Sequence, residues 1–131
     1  MQSVNNSEKF EELYEIIKRL RGPGGCPWDQ KQSPASIKKY LLEETRELAE
    51  AIDKGDKQHI CEEIGDLFFI LLMLMQMYEQ SSHFTSHDVF DRITRKMIRR
   101  HPHVFAGQET GSESELKKQW EAIKSQEKKK S

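Results

Sequence analysis

One stretch constrains this chain more than any other, the 24 residues from Lys57 to Gln80. It contains no proline, and from Leu67 to Met75 it runs through nine consecutive apolar residues. Nine is about half of what a helix needs to span a bilayer, so this is a core segment and not a membrane anchor. Wound as a helix, it is apolar nearly all round from Leu67 to Met77. A helix of that kind is buried. The few remaining helices of one protomer cannot cover every side of it, which predicts a homo-oligomer with this helix at the interface.

The rest of the pattern is helical too. No stretch alternates apolar and polar residues as an exposed sheet would. Five helices are expected, in an all-α helical bundle. The first covers roughly Ser7–Leu20 and stops at Gly22-Pro23-Gly24-Gly25. A loop follows to Gln32; its glycines lack a following Gly-Lys-Ser/Thr, so it is not a P-loop. Ser33-Pro34 pairs an N-cap with a proline at the first helical position and opens the second helix, which ends near Lys54-Gly55. Asp56 caps the third. Thr85 with Asp88 opens a fourth that ends before Pro102, and Ser112 with Glu115 opens a fifth that ends near Lys128, leaving a frayed Lys-rich tail. With 131 residues and no internal repeat, residues 1–131 read as a single domain with its core at about 8–128.

Composition narrows the function. There are 21 basic and 22 acidic residues, a formal net charge of -1, which argues against stable nucleic-acid binding. Two cysteines, Cys26 and Cys61, cannot build a disulfide framework and form no CxxC pair. The first ten residues lack a basic segment followed by an apolar run, so no signal peptide and a cytoplasmic home are expected. His83 and His87 are four apart, but the helix start at Thr85 falls between them and spoils the geometry of a metal pair. His101 and His103 flank Pro102 and read as helix termination and packing.

The chemistry lies in acids on the wrong face. Projected at about 100° per residue, the second helix has an apolar stripe of Ile37, Leu41, Leu48, Ala51 and Ile52. Glu44 falls inside that stripe and Glu47 at its edge, with Glu43 and Glu50 further out. A buried, unpaired carboxylate is costly, so Glu44 needs a cation or a proton. On the third helix, Glu63 and Asp66 share a face that turns apolar at Ile70, Leu74 and Met77. The short turn at Lys54–Lys57 makes the two helices antiparallel neighbours, so the two acid pairs can meet face to face. Four carboxylates and no histidine suit Mg²⁺, or Mn²⁺ in its place, and not zinc. Di-iron bundles use Glu-x-x-His pairs, and this sequence has none.

Cations complement the acids. The apolar face of the fourth helix is Val89, Phe90, Ile93 and Met97, and Arg92, Arg95 and Arg99 point away from it into solvent. Lys96 and Arg100 lie on the inward side. Spacing alone leaves two uses for them: gripping phosphate oxygens or forming salt bridges to the same acids. Trp120, with Lys124 one turn on, is open in the same way between stacking on a base and capping a core, as is Trp28.

Together these stretches resemble the MazG family of nucleoside triphosphate pyrophosphohydrolases. The matching residues are Cys26-Pro27-Trp28-Asp29-Gln30, Tyr40-Leu41-Leu42-Glu43-Glu44 with Glu47, Glu63-Ile64-Gly65-Asp66, Arg99-Arg100-His101-Pro102-His103-Val104-Phe105 and Trp120-Glu121-Ala122-Ile123-Lys124. The arginine–histidine run and the Cys-Pro-Trp-Asp motif point to MazG proper rather than its dUTPase or dCTPase relatives. The resemblance implies an all-α pyrophosphatase fold in a homodimer or tetramer. It implies Mg²⁺-dependent hydrolysis of NTPs and dNTPs to nucleoside monophosphate and pyrophosphate, by metal-activated water attacking the α-phosphate. By position it makes Glu44, Glu47, Glu63 and Asp66 the metal ligands, with Glu43 nearby to help orient water. Lys96 and Arg100 would contact the triphosphate, and Trp120 and Lys124 would close over the nucleotide. Two features depart from the family: one such domain where tandem copies are common, and His59 where a Lys is expected. Two rival readings are an enzyme of the same fold restricted to one pyrimidine or modified nucleotide, and a non-catalytic helical interaction module.

Overall fold

The computed structural model describes residues 5–130; the start of the segment read for a signal peptide lies outside the described residues. Every regular element among the described residues is a helix. In order they are α1 (Asn6–Arg21), α2 (Pro27–Lys31), α3 (Pro34–Lys54), α4 (Lys57–Gln80), α5 (Ser86–Arg100), α6 (Pro102–Phe105) and α7 (Glu113–Lys130). The chain divides into two compact units, residues 1–86 and 87–131.

The first unit is built on the α3–α4 hairpin, with α1 packed on α4 and α2 on α1. The hairpin follows from its caps. The Ser33 side chain accepts from the Ser36 amide and the Ser36 hydroxyl accepts from the Ser33 amide, with Pro34 just inside the helix. Gly55 ends α3 at φ 72°, a left-handed conformation that favours glycine. Asp56 then accepts the amides of Gln58 and His59 and starts α4. The core is Tyr14 and Ile17 from α1, Ile37 and Ala51 from α3, and Ile70, Leu72, Met73, Met75 and Met77 from α4. Ile52, read as part of the apolar stripe, is exposed near the end of α3.

Residues 27–31 form a short helix where the sequence suggested loop. Its stability is not its own. The Arg21 guanidinium donates to the carbonyls of Asp29 (2.6 Å) and Gln32 (3.1 Å), closing the open end of α2, while its Nε donates to Gln80 at the end of α4.

The second unit carries α5, α6 and α7. Ser112 and Glu115 form the expected capping box ahead of α7. Pro102 starts one further turn, α6, because proline fits the first position of a helix as well as it ends the previous one. The lysine tail read as frayed continues α7 to Lys130.

Candidate active site

The hairpin brings together three of the four carboxylates that the sequence pairs across it. Glu44 on α3 and Glu63 and Asp66 on α4 each offer an oxygen, and these oxygens lie within 4.8 Å of one another. The three grade from dry to wet, Glu63 buried, Glu44 half-buried and Asp66 exposed. Oε2 of Glu44 and Oε2 of Glu63 are both buried and accept no hydrogen bond among the described residues. A buried carboxylate oxygen without a donor is costly, and two of them in one cluster are more so. Burial, followed by the charges of Glu47, Asp66 and Glu63, raises the Glu44 carboxyl to about 7. The cluster therefore takes up a proton or a cation near neutral pH.

Glu47 stands beside Glu44, close enough to raise it by charge and by a shared hydrogen bond, but is not one of the triad. Glu43 is exposed on the next face of α3. His59, where a Lys is expected, places Nε2 3.0 Å from Oε1 of Glu63. It holds one oxygen of Glu63 and leaves the other without a partner, as groups behind a metal ligand commonly do. An all-oxygen donor set with two orphaned oxygens fits a hard divalent cation of the Mg²⁺ or Mn²⁺ kind.

The residues read as substrate contacts gather in the second unit. Lys96 and Arg100 from α5 and Lys124 from α7 line a cavity of about 290 Å³ together with Arg99, Glu127 and Lys128. The Arg100 guanidinium lies 5.0 Å from the centre of the Trp120 ring, a cation–π contact. His101 meets the same ring edge-on at 5.2 Å and donates from Nδ1 to the carbonyl of Met97 at 2.6 Å. Trp120 is thus half-buried and held by its neighbours. Trp28, the other ambiguous tryptophan, is exposed and packs edge-on against Tyr40.

Two readings change. Arg99, placed in solvent from the helical projection, donates to Oε2 of Glu127. Arg100 is ion-paired, but with Glu127 rather than with an acid of the hairpin; its Nη2 and Nε donate to Oε1 at 2.8 and 3.2 Å. The sequence reading placed Glu127 inside the fifth helix and gave it no role. The signal was there: Trp120, Lys124 and Glu127 fall at i, i+4 and i+7, one face of a helix.

A helical hairpin with facing carboxylates and a helix pair rich in cations make this an all-α protein with a candidate cation site and a candidate phosphate site. Residues 32–105 match the MazG nucleotide pyrophosphohydrolase domain, and the chain belongs to this family. A crystal structure of a mazG-related protein from Thermotoga maritima superposes with a TM-score of 0.73 at 33% identity, covering 88% of this chain and 98% of that one. The nucleoside triphosphate pyrophosphohydrolase/pyrophosphatase MazG of Thermotoga maritima is 46% identical over 91% of this chain and 45% of its own length. The nucleoside triphosphate pyrophosphohydrolase of Escherichia coli K12 is 41% identical over 91% of this chain and 46% of its own. The uncharacterized protein YabN of Bacillus subtilis is 46% identical over 92% of this chain and 24% of its own. The chain thus spans between a quarter and a half of these curated relatives. The family match covers the hairpin, Lys96 and Arg100 and stops before Trp120 and Lys124.

Proposed function

We propose that this chain, with residues 8–128 working as one catalytic module, hydrolyses nucleoside triphosphates to nucleoside monophosphate and pyrophosphate with Mg²⁺. The observation that carries this is the Glu44, Glu63 and Asp66 triad, with ligand atoms within 4.8 Å and two buried oxygens unpartnered. The names of the Thermotoga maritima and Escherichia coli relatives support the reaction class. Glu44, Glu63 and Asp66 hold the cation, and Glu47 completes the set. Mg²⁺ supplies Lewis acidity and a lowered pKa for water when bound. Glu43 helps to orient the water. The water's oxygen bonds to the α-phosphorus as the α–β anhydride P–O bond breaks; the water's proton passes to solvent, and pyrophosphate leaves with the electron pair. Lys96 and Arg100 offset the charge on the phosphates. Trp120 and Lys124 close over the nucleotide.

Glu44→Ala and Asp66→Ala should each cut Mg²⁺-dependent pyrophosphate release by at least about 100-fold, with the helical circular dichroism unchanged. Retained turnover in both variants would refute the metal site. A panel of the eight common NTPs and dNTPs separates broad activity from restriction to one pyrimidine. We further propose that a second copy covers the exposed apolar stripe of α4, giving a homodimer or tetramer that works in the cytoplasm.

A further inference from the structure

Six charged residues line the cavity of the second unit, five cations and one acid. The acid, Glu127, is on the two arginines. Oε1 accepts from both Nη2 and Nε of Arg100, and Oε2 accepts from Nε of Arg99. The hydrogen bonds from Arg100 and then Arg99 hold the Glu127 carboxyl below its ordinary range, so it is charged. Among the described residues Lys96 and Lys124 have no ion-pair partner. The Arg100 side chain is 13% exposed and that of Glu127 21%, so the pair is reachable from the cavity but held in place.

A guanidinium edge that takes two hydrogen bonds to a carboxylate is the edge that takes two to a phosphate. One face of Arg100 lies against Trp120, and its Nε–Nη2 edge is on Glu127. A phosphate entering this cavity therefore meets a carboxylate already on that edge. It also meets two lysines with no partner of their own.

We propose that Glu127 is an internal counter-ion that competes with the substrate's phosphates for Arg100, and so sets how tightly this cavity binds a polyphosphate. The proposal rests on the reading that Lys96 and Arg100 contact the triphosphate. It deepens that reading by naming the residue that limits affinity. With Glu127 in place the cavity repels excess anion binding and keeps pyrophosphate from lingering after the reaction. Without it, Arg100 and the two lysines, Lys96 and Lys124, act undiluted.

The experiment is calorimetric titration of the full chain with inorganic tripolyphosphate in the absence of metal, for the unmodified protein and for Glu127→Gln, which keeps the shape and removes the charge. Steady-state kinetics on the same two proteins follow. Glu127→Gln should bind tripolyphosphate about tenfold more tightly, with KM for the nucleotide lowered in proportion and kcat no higher. Equal or weaker binding by the variant would overturn the proposal, because Glu127 would then only position Arg100. If neither protein binds tripolyphosphate, the phosphate assignment of the cavity fails and this proposal with it, while the metal site stands or falls on Glu44→Ala and Asp66→Ala. If only the variant binds, the proposal is supported in its strongest form. Glu127→Ala, read by the same titration, serves if the glutamine variant does not fold.

Discussion

Glu44 carries the clearest consequence of a single side chain. Its carboxyl is raised from 4.5 to about 7, by burial first and by three neighbouring acids second. A carboxyl whose folded pKa is raised binds more protons folded than unfolded between those two values. Its contribution is therefore complete below pH about 4.5 and is lost as pH rises through about 7. The metal-free protein should lose about 1 kcal/mol of stability between pH 5 and pH 8, an amount discounted for the solvent that reaches the site. Glu44→Gln should flatten that part of the profile, and Mg²⁺ should raise the melting temperature of the unmodified protein most at the upper end. Calorimetric melts at several pH values check both, and an identical slope in the variant would sink the account. The residues of this cluster were legible from sequence, because an acid inside an apolar stripe announces itself. That Glu47 stands beside the triad rather than in it was not, since one-dimensional spacing places a residue on a face but does not say where its oxygens end.

Helices α3, α4 and α7 were readable at their starts, through Ser33-Pro34, Asp56 and the Ser112–Glu115 box, because caps are local chemistry. Helix α2 was not readable. Five residues are too few to show a period, and what holds them is Arg21 reaching across from α1. The turn before it is tight: the Cys26 amide donates to the Leu20 carbonyl at 2.8 Å. A Cβ on Gly25 would come to 2.2 Å from the Leu20 oxygen and 2.3 Å from that of Arg19, both backbone atoms that cannot step aside cheaply. Gly25→Ala should accordingly destabilise the protein by about 2 kcal/mol or more, read as a lower urea midpoint. Gly24→Ala makes a useful contrast. At φ 75° it strains the backbone, but nothing lies within 4 Å of its added Cβ, so the loss there should be smaller.

At the scale of the molecule the open question is what covers the apolar surface. On α4, Ile64, Phe68 and Leu71 are 42%, 50% and 40% exposed, and their spacing puts them on one stripe of the helix. The packing of the described residues leaves about half of that stripe uncovered, although the opposite side, with Ile70, Met73 and Met77, is in the core. Leu71→Asp should weaken self-association by about 100-fold or more, as expected when a charge enters the dry centre of an interface. Sedimentation velocity at micromolar concentration would show it as a shift to monomer, and a monomeric mass for the unmodified protein would remove the premise. No helix among the described residues is long and apolar enough to cross a membrane, so a bilayer does not cover the stripe as a span would. The sequence by itself determined the helical class, the caps and the hairpin turn, because each of these depends on neighbours within a turn or two, and it put Glu44, Glu63 and Asp66 on the faces that the hairpin brings together. The tertiary structure alone decided three things: that His59 holds Glu63, that Arg21 shapes α2, and that Glu127 rather than a hairpin acid takes Arg100. Each is a contact made by a long, flexible side chain whose rotamer is chosen by packing, and no pattern along the chain records that choice.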